Sequence, residues 1–308
     1  MIYTKEKDFP FGELKTAAQK RRRTKMTKNL KIHLLIIDPQ NDFCDIPADE
    51  SPEGKASTLP VPGAHEDMKR AGALINRIGH KLEDIHVTLD SHRKVDIAHP
   101  IWWMDQNGNP PAPFTLIFSK DIRAGIWTTR HPGFLKRSLA YAEALESTGK
   151  YILCIWPPHC LISTWGANVH DSVNEALQAW SEKEFAMVDY VTKGSNPWTE
   201  HYGGMMAEVP DADDPSTSLN TEFIKMLRDA DIIGILGEAG SHCVKATVDQ
   251  IADNIGEEHI KKFHIITDCI SPVPAVPNGP DFPAIYQEWL KAMEKRGVAL
   301  TASTDFLA

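Results

Sequence analysis

With 308 residues and 42% hydrophobic side chains, the chain can bury a substantial core. Its formal net charge of -9, with the basic run confined to residues 20–28, argues against a nucleic-acid partner. No apolar stretch is long enough to span a bilayer, and the N-terminus lacks the charged-then-apolar order of a signal peptide. Five scattered cysteines (Cys44, Cys154, Cys160, Cys243, Cys269) suit a reducing compartment better than a disulfide framework, so a cytoplasmic protein with a free thiol is expected.

Residues 1–29 are polar, basic and aperiodic, and are expected to form a disordered leader, with Met26 as an alternative start. Ile32–Ile37 is a short apolar run of the kind buried in a parallel sheet, and it stops at Asp38. The carboxyl end of such a strand is where open parallel sheets gather ligands. Leu59–Ala64, punctuated by Pro and Gly, is a loop, and helical spacing follows from Met68 to Ile78. A second strand, Ile85–Leu89, delivers Asp90 and His92.

From Pro100 to Thr129 the text is rich in Pro, Gly and Trp with one strand-like run, Phe114–Phe118, and the stretch at about 101–150 reads as an insertion that leaves the sheet. Phe134–Glu146 reads as a helix. Tyr151–Ile155 reads as a strand delivering Trp156 and His159, Gly166–Trp180 as a helix, and Phe185–Val191 as a strand that stops just before Lys193. The helix Leu219–Ala230 leads into the strand Ile232–Leu236. Gly237 and Gly240 then form a tight turn before a helix over Val244–Asn254. Its unpaired amides favour the thiolate of Cys243. Strand Phe263–Thr267, helix Phe282–Lys295 and strand Val298–Thr301 complete the alternation, which predicts one α/β domain over 30–308 with a mostly parallel sheet.

Strand ends thus present Asp38, Asp90 with His92, Lys193 and Cys243, and a loop presents His159. An acid and an amine beside a thiol can remove its proton, hold the charge and return the proton to a leaving amine. Asp90, His92 and a third imidazole offer nitrogen and oxygen ligands for a divalent metal with open positions. Each residue alone has a blander reading: a cap for the acid, a solvated lysine, a buried filler for the free cysteine. Their convergence on one sheet edge carries the argument.

Six stretches in order, Ile36–Phe43, Leu59–Ala64, Thr88–His92, Trp156–Cys160, Lys193–Gly194 and Gly237–Thr247, resemble the isochorismatase-like cysteine hydrolases, and within them the nicotinamidases. The resemblance implies a three-layer α/β/α sandwich around a six-stranded, mostly parallel sheet. It implies a catalytic triad of Asp38, Lys193 and Cys243 and one divalent metal, zinc or else iron or manganese, on Asp90, His92 and His159. It further implies a cis Glu238–Ala239 peptide, an oxyanion hole from the amides of Ala239 and Cys243, and substrate contacts from Phe43, Trp156 and Tyr202. The implied activity is hydrolysis of a small carboxamide, such as nicotinamide in NAD metabolism, through a thioester. Another amide or ureide, or a silent ligand-binding homologue, remains open, and a homo-oligomer is compatible with either. Isochorismate hydrolysis fits less well, since those members need no thiol where Cys243 stands.

The chain also departs from that pattern. Nicotinamidases usually read Asp-Trp-His-Pro where Asp90-Ser91-His92-Arg93 stands here, and the insertion is long for the family. Its Trp102, Trp103 and Trp127 are expected to fill a satellite core, and His99 to be a structural imidazole beside the metal residues.

Overall fold

Leu34, Leu35, Ile36 and Ile37 are all completely buried, and because successive side chains of a strand point to opposite faces, both faces of their sheet are covered. The computed structural model describes residues 30–275 and 280–308; the expected leader at 1–29 lies outside the described residues. In chain order the strands are β1 (Ile32–Ile37), β2 (Asp84–Asp90), β3 (Trp103–Met104), β4 (Leu116–Ile117), β5 (Thr128–Thr129), β6 (Leu153–Cys154), β7 (Asp189–Lys193), β8 (Ile232–Gly237), β9 (Phe263–Ile266) and β10 (Ala299–Thr301). Six of them form the central sheet in the order β10-β9-β8-β1-β2-β7. Every pairing in it is parallel. This is the α/β fold expected from the alternation of elements.

The covering helices follow from apolar periodicity. In Ala64–Ile78 the buried Met68, Ala71, Leu74, Ile75 and Ile78 recur at three- and four-residue steps and make one apolar stripe. This helix packs closely on Asp171–Glu184, where Gly72 lies so near the Ser172 carbonyl that a Cβ would collide with it. The helices Thr221–Asp229 and Phe282–Lys295 start on side-chain caps, from Asn220 to the Phe223 amide and from Asp281 to the Ala284 amide. No helix among the described residues is long and apolar enough to cross a membrane.

Two strands differ from the expectation. Tyr151–Ile155 does not join the central sheet: only Leu153–Cys154 is extended, and it pairs antiparallel with β4. Leu153 and Ile155 instead enter a second core with Trp102, Trp103, Ile117 and Leu145, against which Trp127 packs. A short apolar run carries no label for which core it enters, and this one follows its neighbours in the 101–150 stretch. The strand placed at Phe185–Val191 runs over Asp189–Lys193. Phe185 closes the preceding helix in a left-handed conformation with φ of 51° and, with Met187, is almost fully exposed. Lys193 is therefore inside the strand, as its last residue.

Candidate active site

The carboxyl edge of the sheet gathers the reactive side chains. Beyond β1, Asp38 takes a left-handed φ of 45°, and its amide donates to the carbonyl of Thr88 in β2 at 3.1 Å. The Thr88 hydroxyl donates to Asp38 Oδ1 at 2.6 Å, so β2 fixes both the backbone and the carboxyl of this residue. Asp90 and Lys193 are register partners at the ends of β2 and β7. β8 ends at Gly237, whose φ of 124° and contact with the Ile37 backbone leave no room for a Cβ. The cis Glu238–Ala239 peptide follows, then the turn Gly240–Val244 that carries Cys243, then the helix Lys245–Ile255.

These placements bring Asp38, Lys193 and Cys243 together. Lys193 Nζ lies 2.9 Å from Asp38 Oδ2, 3.1 Å from Asp90 Oδ1 and 3.7 Å from Cys243 Sγ, and it donates to the His201 carbonyl at 3.0 Å. Burial pushes the Cys243 thiol well above its ordinary pKa, opposed by the Lys193 charge and reinforced by Asp38 and Asp90. Burial works to lower the Lys193 ammonium, but Asp38 and Asp90 outweigh it and hold the group well above its usual value. Asp38 is raised by burial, with Lys193 pulling the other way. The resting arrangement is thus a thiol beside an ammonium that bridges two acids.

Asp90, His92 and His159 form a second group on the same edge. Asp90 Oδ2 is 3.0 Å from His92 Nε2 and 3.3 Å from His159 Nε2. Ligands about 2.1 Å from one zinc ion stand roughly 3 to 3.5 Å apart, so these atoms have the spacing of a metal face. The far nitrogens are held as metal-binding imidazoles usually are: His92 Nδ1 faces Asp96 Oδ2 at 3.3 Å, and His159 Nδ1 faces the Pro157 carbonyl at 2.9 Å. A Cβ on Gly194, at φ of 77°, would come within 2.7 Å of Asp90 Oδ1 and 3.1 Å of His92 Cε1, so glycine keeps this space open. The donor set and its support therefore fit a divalent cation. His99 is fully buried with its ring 5.3 Å from that of His92. A further cluster of His33, Asp84 and His86 lies at the opposite end of the strands, where His33 Nδ1 and His86 Nε2 face one another at 3.0 Å.

A cavity of about 380 Å³ opens over both groups. Cys243, Lys193, Ala239 and the three candidate metal residues line it, and so do Phe43, Trp156 and Tyr202; Asp38 lies behind Lys193, off the wall. Three residues at the site were not anticipated from sequence. Asp96 is four residues beyond His92, a spacing that could have suggested a partner. His242 precedes the thiol; its ring meets Trp156 edge-on at 5.7 Å, and burial lowers its pKa to about 4. Glu200 is buried beneath Trp156 and Tyr202, yet an acid in a loop reads from sequence as solvated.

No family model matches the sequence, and no curated protein matches it either. Among solved structures, the chain is similar to the nicotinamidase and pyrazinamidase of Acinetobacter baumanii, at 21% identity and a TM-score of 0.53 over 92% of this chain and 100% of that one. It is similar to the yeast nicotinamidase Pnc1p at 18% identity, TM-score 0.56, over 88% and 99%. The same yeast enzyme bound to the inhibitor nicotinaldehyde gives 19% identity and a TM-score of 0.57, with the same coverage. The six-stranded parallel α/β sandwich of this chain is the fold of those nicotinamidases.

Proposed function

We propose that the protein is a cysteine amidohydrolase that cleaves a small carboxamide to the carboxylic acid and ammonia through a thioester. One observation carries the reading: the Lys193 ammonium stands within 3.7 Å of Cys243 Sγ and 2.9 Å of Asp38 Oδ2, on the wall of a cavity sized for a small ring.

In this reading the Cys243 thiol gives its proton to the Asp38 carboxylate as Sγ attacks the amide carbon. Lys193 stays an ammonium and offsets the negative charge while it moves from Asp38 to sulfur to the carbonyl oxygen. The amides of Ala239, just before the turn, and of Cys243, within it, receive that oxygen. The C–N bond then breaks as Asp38 returns the proton to nitrogen, and ammonia leaves. A water attacks the thioester, one proton goes back to sulfur, and the acid is released. Asp90, His92 and His159 would hold one divalent cation, zinc by its preference for such donors, and when bound it would supply a Lewis acid at the cavity wall. The substrate ring would lie among Phe43, Trp156 and Tyr202. Five free cysteines support a reducing compartment such as the cytoplasm.

Nicotinamide is the first substrate to test, since structures with this fold include nicotinamidases. A different amide or ureide belongs in the same test, because Phe114, from the 101–150 stretch, lines the cavity and meets Trp156 edge-on at 5.9 Å. Ammonia release from nicotinamide, other aromatic carboxamides and ureides is the deciding assay. Release that vanishes in Cys243→Ala supports the reading, and its absence across the panel overturns it.

A further inference from the structure

Phe114 lines the cavity yet is 53% exposed, so its ring stands at the mouth, where the wall meets solvent. Its backbone takes a left-handed φ of 68°, a conformation that a bulky side chain adopts only at a steric cost and that concentrates at ligand sites. Two contacts hold it there: its amide donates to the Ile155 carbonyl, and its ring meets Trp156 edge-on at 5.9 Å. A large apolar ring left half in water beside a cavity gains free energy when a ligand covers it.

The cavity also has room beyond one ring. Its volume of about 380 Å³ lies in the range of about 300 to 1,000 Å³ that encloses drug-sized ligands, and a single ring with its carboxamide is a smaller body. Phe43 marks the inner part, its ring 5.5 Å from that of His159. Leu59, Val61 and Val273 add aliphatic surface to the wall. Among the described lining residues, the only carboxyl or ammonium outside the catalytic and metal groups is that of Glu200. Its Oε1 is taken by Trp156 and Tyr202 and its Oε2 is sealed. Burial raises its pKa to about 8, so at neutral pH it is mostly uncharged. The rest of the cavity therefore suits apolar surface without charge.

We propose that the substrate is an uncharged amide whose acyl part carries an apolar group beyond its first ring, and that Phe114 at the mouth selects for that group. The inference rests on the amidohydrolase reading of the same cavity and narrows its substrate class. The carbonyl would lie at Cys243, the first ring among Phe43, Trp156 and Tyr202, and the apolar group against Phe114. The 101–150 stretch thereby enters the site through one side chain.

Binding should be measured calorimetrically in the Cys243→Ala background, so that turnover does not enter the readout. The probes are benzamide, its 3- and 4-isopropyl derivatives, and the 3- and 4-carboxamide counterparts, which keep a similar shape but replace the methyls by polar groups. The better isopropyl isomer is expected to bind roughly 10- to 100-fold more tightly than benzamide, as burial of three further carbons implies. Its carboxamide counterpart should lose that gain. Adding Phe114→Ala, at a half-exposed position, should reduce the isopropyl gain by roughly 3- to 10-fold relative to benzamide. Isopropyl isomers no tighter than benzamide, carboxamide counterparts equally tight, or a gain untouched by Phe114→Ala overturns the proposal. The first two comparisons need no Phe114 variant, so they decide even if that variant folds poorly. Ammonia release from benzamide by the wild type, with no gain from either isopropyl group, would leave the amidohydrolase reading standing and remove this one alone.

Discussion

Lys193 Nζ lies 2.9 Å from Asp38 Oδ2, with both side chains almost wholly sealed from solvent, and the same ammonium reaches Asp90 Oδ1 at 3.1 Å. One cation therefore balances two buried acids. Lys193→Ala leaves Asp38 without its counter-charge, while Asp90 still faces His92 and His159, and is expected to cost about 3 to 5 kcal/mol of stability along with most of the acylation rate. Lys193→Arg should fail as well, because the planar guanidinium does not fit the space of an ammonium. The pair Lys193→Met with Asp38→Asn removes both charges and should recover stability without recovering turnover. Urea denaturation and single-turnover kinetics separate the two effects. Normal acylation in Lys193→Ala would show that another group serves Cys243.

Cys243 is 7% exposed on the cavity wall, whereas Cys44, Cys160 and Cys269 are fully buried. Iodoacetamide should label Cys243 first. Burial holds the thiol well above its usual pKa, so labelling should quicken steadily as pH rises from neutrality, tracking the thiolate fraction. Cys243→Ser should lose several orders of magnitude in turnover. Peptide mapping that finds Cys154 modified ahead of Cys243 would contradict the assignment.

The positions of Asp38, Asp90 and Cys243 at strand ends were legible because an apolar run followed by an acid or a Gly-rich turn marks the edge of a parallel sheet. The strand Tyr151–Ile155 was misplaced because its apolar pattern is the same whether it enters the central sheet or the second core around Trp102 and Trp103. Glu200 is not legible for a related reason: burial of an acid depends on what closes over it, here Trp156 and Tyr202, and no local pattern records that their N–H and O–H converge on its carboxyl. The pairing of His33 with His86 likewise depends on β1 and β2 being neighbours, which no local pattern records.

Asp90, His92 and His159 have the spacing of a metal face, and Asp96 backs one of the imidazoles. Purified protein is expected to hold about one divalent ion per chain, and His92→Ala or His159→Ala should reduce that content sharply. Asp96→Asn, which leaves the three ligands in place, should weaken metal affinity by roughly 10- to 100-fold. Elemental analysis after dialysis against a chelator measures each. Unchanged occupancy in His92→Ala would remove the site.

At the far end of the sheet, His33 Nδ1 faces His86 Nε2 at 3.0 Å, and His86 Nδ1 faces Asp189 Oδ2 at 3.0 Å. Burial, then the neighbouring His86, lowers the His33 pKa from 6.5 to about 4, with Asp84 acting in the opposite direction and Lys31 adding slightly. Between those two values the unfolded chain binds a proton that the folded chain refuses, so stability falls as pH drops through this window and the loss levels off below it. His99, His170 and His242, each also lowered to about 4 mainly by burial, act with the same sign. Replacing His33 and His86 together by leucine, in strands already lined with aliphatic side chains, removes one of these contributions without leaving an imidazole unpaired. The wild-type loss of unfolding free energy between pH 6.5 and pH 4 should exceed that of the double variant by roughly 1 to 2 kcal/mol once solvent screening is allowed for. Urea denaturation at several pH values measures it. Parallel stability profiles for the two proteins would mean that His33 titrates alike folded and unfolded, and that the buried pair places no proton-linked load on the fold.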